Sequence, residues 1–168
     1  MNPEPKISRD PENGHVFLNG DRVFSFRIKT FQAYMDRLSV AGDKVSRVLM
    51  DQMGIAAGHV AMDFVRDRIH SIEDLCKVTD ETLSEQGAGR CLGIEQHSEG
   101  STNKVTVRLR GTPLTYNRIA TEPTCHAIRG LMQGWIEAYL DRKAASSIET
   151  ACESMGASEC VFEVTFIQ

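Results

Sequence analysis

Residues 149 to 164 read ETACESMGASECVFEV, and how this stretch folds sets the reading of the rest of the chain. The segments SSIETACES and CVFEVTFIQ, on either side of a small-residue Met-Gly-Ala-Ser turn, have the length and alternation of paired strands. Val161, Val164 and Phe166 are expected to face a core. The same hairpin brings Cys152, at the end of one strand, beside Cys160, at the start of the next, with Glu149 just upstream. Two thiols and a carboxylate supply three of the four donors that a tetrahedral zinc site takes.

Upstream of the hairpin lies the clearest helix: Ile128, Leu131, Met132, Trp135, Ile136, Tyr139 and Leu140 follow the i, i+3, i+4, i+7 rule, with Pro123 near the first turn. Before it, RCLGIEQHS (90–98) and KVTVRLRG (104–111) read as a second hairpin, with Val105, Val107 and Leu109 on one face. Ser71 with Asp74 resembles a capping box, opening a helix that runs through Leu75, Val78 and Leu83 to Gly87 and Gly89. Two helices precede it. One carries Phe31, Tyr34, Met35 and Leu38 and stops at Gly42; the other runs from Val45 through Phe64 and Val65 and contains Gly54 and Gly58. HVFLNGDRVFSFRI (15–28) reads as a β-hairpin about Asn19-Gly20, and the proline-rich residues 1–14 as a loose, flexible tail. The order of elements predicts a single α+β domain over residues 15–168, an antiparallel β-sheet packed against a layer of helices.

Composition narrows the function. With 168 residues, 41% hydrophobic and 25% charged, and no apolar run near the ~20 residues of a membrane span, the chain reads as soluble, with no membrane association. The first residues have neither a basic start nor an apolar stretch, so a cytoplasmic location with reduced thiols is expected. Five cysteines, an odd number, do not suit a disulfide framework. The net charge of −4, with scattered basic residues, gives little footprint for direct nucleic-acid binding. There is no GxSxG, no HExxH and no phosphate-cradling glycine loop, and His59 and His97 have no visible catalytic partner; an enzyme is not the leading reading.

Gly54 and Gly58 each cost a helix roughly 1 kcal/mol relative to alanine, which points either to a close helix crossing or to a ligand approaching the backbone. With Trp135 they are the candidate ligand-binding residues; the stripe of Met132, Trp135 and Tyr139 serves equally as ordinary core. For a metal, the fourth donor is best sought at Cys125, in the first turn of the long helix, with His126 beside it. By spacing alone Cys125, Cys152 and Cys160 would serve as well as small buried hydrophobes, the role assigned to Cys76 and Cys91.

The pair EPTCHAIRGLMQGW and ETACESMGASECVFEV resembles the C-terminal signature of the 4-vinyl reductase, or hydrocarbon-binding, domain family. That family is related to the sensor domain of phenol-responsive activators and to TRAPP-type subunits. The segment MDQMGIAAGHVAMDF is similar to the family's glycine-containing helix. The resemblance implies a fold like those of TRAPP subunits and NO-signalling ligand-binding domains. It also implies a structural zinc held by Cys125, Glu149, Cys152 and Cys160, in the order Cys-Glu-Cys-Cys. By the same token the expected function is a regulatory sensor binding a small hydrophobic or aromatic ligand, with a signalling protein as partner. Alternatives are an enzyme or accessory subunit of tetrapyrrole (vinyl reductase) metabolism, or a TRAPP-like assembly subunit. A homodimer is expected, with Phe17, Phe24 and Phe31 offering apolar faces.

Overall fold

The computed structural model describes residues 6–10, 15–18, 20–23, 28–39 and 43–167. Near the N-terminus Ile7–Asp10 (β1), His15–Leu18 (β2) and Asp21–Val23 (β3) form a small antiparallel sheet in that order. The expected hairpin is present: Leu18 pairs with Asp21, and Gly20 has φ of 97°, a left-handed conformation that glycine adopts without a Cβ clash. Residues 7–10, read from composition as tail, are instead an edge strand in register with β2 from Ile7–Leu18 to Asp10–His15. Residues 1–5 and 11–14 of that segment, and Gly42, lie outside the described residues.

Three helices follow, Ile28–Ser39 (α1), Asp43–Asp63 (α2) and Ile72–Glu85 (α3). The capping residue of α3 is Ser71, whose Oγ accepts the Asp74 amide at 3.1 Å. The second sheet takes Arg90–Glu99 (β4), Thr102–Arg110 (β5), Ser146–Ala151 (β6) and Cys160–Ile167 (β7) in the order β4-β5-β7-β6, every pair antiparallel. The long helix, His126–Leu140 (α4), connects β5 to β6. The two central strands bury one face each: Val105, Val107 and Leu109 on β5, Phe162, Val164 and Phe166 on β7. Val161, expected inward, falls on the opposite face, because period-2 alternation places Phe162 with Val164 and Phe166.

Between α2 and this sheet lies α4, touching α2 on one side and β6 and β7 on the other. The α2 contact is backbone against backbone. A Cβ at Gly54 would lie 2.2 Å from the Ala127 carbonyl oxygen, and one at Gly58 2.3 Å from that of Leu131. From the facing helix, a Cβ at Gly130 would meet the Asp51 carbonyl oxygen at 2.2 Å and one at Gly134 that of Ile55 at 2.1 Å. Four glycines, two per helix and four residues apart on each, thus let the helices approach more closely than any side chain allows. Polar contacts close both ends of the crossing: Arg129 pairs with Asp51 through two nitrogens, and Glu137 meets His59 at 3.0 Å.

This packing gives a direct test. Gly134→Ala gains helix propensity of up to about 1 kcal/mol, but the added methyl overlaps a carbonyl that belongs to a helix and cannot swing aside. The expected net result is a loss of about 1–3 kcal/mol, read as a lower thermal midpoint with unchanged far-UV circular dichroism. A midpoint equal to or above the parent's would contradict the close crossing.

Candidate functional site

The last hairpin brings its thiols together with the start of α4. Cys125, at the N-cap of that helix, is fully buried, as are Cys152 and Cys160, while Glu149 is half-buried. One donor atom from each of these four residues lies within 4.8 Å of all the others. A bulge makes this possible. Glu149 pairs with Phe162 and Ala151 with Val161, so Thr150 is the extra residue of β6. In an unbroken strand, residues three apart face opposite sides; the extra residue restores Glu149 and Cys152 to the same side. A 3-10 turn at Glu153–Met155, closed by Gly156 at φ 93°, then returns the chain to Cys160.

The arrangement fits a tetrahedral metal. Two thiolates bound to one zinc at about 2.3 Å, with tetrahedral angles, sit about 3.8 Å apart; the Cys125 and Cys160 sulfurs are 3.7 Å apart. Glu149 Oε2 accepts the Cys125 amide at 3.2 Å, whereas its Oε1 is buried without any hydrogen-bond partner. An orphaned carboxylate oxygen beside three thiols is the donor set of a zinc site. Each sulfur also has a polar neighbour: Thr112 Oγ1 lies 3.4 Å from Cys125, Ser154 Oγ 3.1 Å from Cys152, and the Glu153 amide donates to Cys160 at 3.4 Å. Glu153 accepts the Gly111 amide and the Thr115 hydroxyl, each at 3.0 Å through Oε2. These supporting residues carry no spacing signal in the sequence, since Thr, Ser and Glu occur throughout it.

Electrostatics show why the cluster is incomplete by itself. Burial first, and then Cys152, pushes Glu149 up to about 8. Hydrogen bonds with Cys152 and Cys160, then burial, push Cys125 far above the usual thiol range. For Cys160 the lowering contact with Cys125 is outweighed by Cys152 and burial, taking it up to about 12, while Cys152 is held far down by hydrogen bonds from Cys125 and Cys160. One thiolate among neutral neighbours is the outcome. A divalent cation reverses that logic and lets all four donors ionise.

The expected ligand residues divide. Gly54 and Gly58 face the α4 backbone, so the reading of a ligand beside them is corrected: the helix crossing occupies that space. Trp135 is different. It lines a small enclosed cavity of about 20 Å³ between α3 and α4, with Ala61, Thr79, Leu83, Leu131 and Met132, and its indole N–H is buried without a partner. A larger open cleft of about 540 Å³ lies between α1, the start of α2 and the 112–124 connection, lined by Met35, Met50, Leu114, Ile119 and His126 among others. Ion pairs from Arg47 to Glu122 and from Arg118 to Asp36 join its walls. No described helix is long and apolar enough to cross a membrane.

Fold and site together define an α+β domain, with an antiparallel sheet backed by helices and a Cys₃Glu cluster pinning α4 to the last hairpin. Residues 105–166 match the family model of the 4-vinyl reductase domain, so the likeness to that family is shown, carried by β5 through β7. Among solved structures, the phenol-responsive sensory domain of the transcription activator PoxR, with phenol, aligns at a TM-score of 0.76 and 15% identity, covering 95% of this chain and 84% of that one. A vinyl-4-reductase family protein from Methanocaldococcus jannaschii aligns at 0.55 and 21% identity, covering 84% and 82%. Subunit 3 of a trafficking protein particle complex from Naegleria fowleri, covalently bound to palmitic acid, aligns at 0.52 and 11% identity, covering 84% and 97%. No curated protein matches the sequence.

His59, weighed in the sequence as a solitary base, has a partner after all: it meets Glu137, a carboxylate only 3% exposed. Glu137 also accepts from Gln133 at 2.8 Å and from the Ala144 amide and Lys143, each at 3.0 Å. His97 remains exposed, 4.0 Å from Glu95. Burial raises the Glu137 carboxyl, but the hydrogen bonds from Gln133, Ala144, Lys143 and His59 outweigh it and hold the group down to about 2, against an ordinary 4.5. A carboxylate depressed on folding stabilises the protein above its unfolded value, and that stabilisation is lost as pH falls toward the folded one. Glu137→Gln should therefore lower the thermal midpoint at neutral pH, and the gap to the parent should shrink as pH falls from 4.5 toward 2. A gap independent of pH over that window would contradict the assignment.

Proposed function

We propose that this chain is a zinc-containing sensor domain for a small apolar or aromatic molecule, acting as a homodimer and passing its occupancy to a signalling protein. The observation that carries the proposal is the convergence of Cys125, Glu149, Cys152 and Cys160 into one buried cluster, in a fold shared with a phenol-responsive sensory domain. With all four donors drawn from the protein, zinc has no open position and is structural, supplying positive charge that neutralises the buried thiolates. The residues do the mechanical work: Cys125 fixes the start of α4, and Glu149, Cys152 and Cys160 fix the hairpin beneath it.

The ligand site in this reading is the space between α3 and α4 at Trp135. Its walls are mainly apolar, and the indole N–H is an unused donor for a hydroxyl such as that of phenol. Typical ligand pockets hold about 300–1,000 Å³, so occupancy requires α3 to move outward, and that movement is the signal. Trp135 is the only tryptophan of the chain, which makes its fluorescence a direct reporter. Phenol should alter Trp135 emission saturably, Thr82→Leu, which adds bulk to the same cavity, should abolish the response, and Ile119→Asp in the open cleft should preserve it. The opposite pattern would move the ligand into the cleft.

The surface supporting a homodimer is not the N-terminal aromatics. Phe31 packs against the core, Phe17 is half-buried, and Phe24 lies outside the described residues. Val45, Leu49, Met53 and Val60 of α2, followed by Phe64, instead form an exposed row opposite the glycines. Two copies of α2 crossed antiparallel would set Val45 against Phe64 and Leu49 against Val60, with Lys44 of each near Asp63 of the other. Native mass spectrometry of protein never exposed to chelator should give a dimer with one zinc per chain. Cys160→Ser should lose the zinc and Met53→Glu the dimer. A metal-free parent, or a monomer at tens of micromolar, would refute the respective part.

A further inference from the structure

We propose that Cys76 and Cys91, which lie apart from the four-donor cluster, form a reversible thiol–disulfide pair that locks α3 onto β4. Their sulfurs are 3.8 Å apart. Cys76 projects from α3 and is partly exposed, so a small oxidant reaches it; Cys91 is buried on β4. The two backbones are already held in register next to the pair. Asp80, one turn beyond Cys76 on α3, accepts the Cys91 amide at 2.8 Å and binds the Arg90 guanidinium at 2.8 and 2.7 Å. A disulfide of about 2.05 Å therefore requires side-chain rotation and no rearrangement of either element.

The oxidant is a hydroperoxide, and the chemistry closes in two steps. The Cys76 thiolate attacks a peroxide oxygen, the O–O bond breaks, and water or an alcohol leaves, giving a sulfenic acid on Cys76. The Cys91 sulfur then attacks the Cys76 sulfur; the S–O bond breaks, the S–S bond forms, and hydroxide leaves as water with the Cys91 proton. Two electrons pass from the two sulfurs to the peroxide. Burial, and then the neighbouring Cys76, push the Cys91 thiol up to about 12, which agrees with Cys76 making the first attack. A dithiol reductant reverses the bond.

Its consequence rests on the sensor reading above. Thr79, Thr82 and Leu83 of α3 form one wall of the Trp135 cavity, so a covalent tie between α3 and β4 holds that cavity shut. The oxidised protein would not accept the ligand.

The test treats the intact protein with a few equivalents of hydrogen peroxide, alkylates remaining thiols with iodoacetamide, and maps peptides by mass spectrometry. The expected product is a Cys76–Cys91 cross-linked peptide pair, reversed by dithiothreitol and absent from Cys76→Ser. Alkylated Cys76 and Cys91 at a peroxide dose that oxidises free glutathione would overturn the proposal, as would Cys76 halted at sulfinic acid. Hydrogen exchange should slow severalfold across α3 in the oxidised form; unchanged exchange would overturn the lock. Phenol, as the probe, should lose at least tenfold in its Trp135 response on oxidation. An unchanged response would overturn the gating consequence, whereas absence of any response in the reduced protein would instead refute the sensor reading, with the cross-link still decided by its mass.

Discussion

Four acidic groups within 4.8 Å of one another, three of them thiols shielded from water, are a constraint the rest of this molecule has to meet. Charges at that spacing repel too strongly for all four to ionise alone, and protons placed on them leave Glu149 Oε1 without a partner. Yet the backbone is shaped to make the cluster: the extra residue at Thr150, the 3-10 turn with Gly156 behind it, and Cys125 at the N-cap of α4 each serve to aim a donor. A dication resolves the conflict at one stroke. The same ion ties a helix to a hairpin that the chain otherwise joins through residues 141–145.

From that anchor α4 runs through the centre of the domain and meets everything that bears on function. Its glycines bring α2 to backbone contact, its ends are tied by Arg129–Asp51 and Glu137–His59, and Trp135 faces the space under α3. Against α2, α4 is held by contacts that tolerate no side chain, so movement falls to α3, which packs mainly on β4. Rigid on one side and yielding on the other is the arrangement a ligand-operated switch needs.

Much of this is legible in the sequence where the signal is local. The strand alternation about Val105–Leu109, the α4 stripe, the Ser71 cap and the Asn19-Gly20 hairpin depend on neighbouring residues only, and they fold as read. The metal set is readable because Glu149, Cys152 and Cys160 lie close in the chain; Cys125 needs family resemblance, since nothing local links it to a hairpin 24 residues away. Strand β1 is hidden by prolines on both sides, and the inward face of β7 passes to Phe162 rather than Val161 because turn length alone does not fix register. Gly54 and Gly58 are visible, but their meaning depends on a second helix. Their counterparts Gly130 and Gly134 have the same spacing on α4, and only the pairing of the two motifs identifies the crossing. Thr112, Thr124, Ser154 and Glu153 around the thiols are invisible, because long-range contact alone gives such common residues their role.

The central claim is that Cys125, Glu149, Cys152 and Cys160 share one zinc ion. X-ray absorption at the zinc edge, on protein purified without chelators, tests it most directly. The account predicts a four-coordinate shell with three sulfurs at about 2.3 Å and one oxygen at about 2.0–2.2 Å, reduced to two sulfurs or lost altogether in Cys152→Ser. A shell of nitrogen and oxygen only, or a sulfur count unaffected by that substitution, would contradict it.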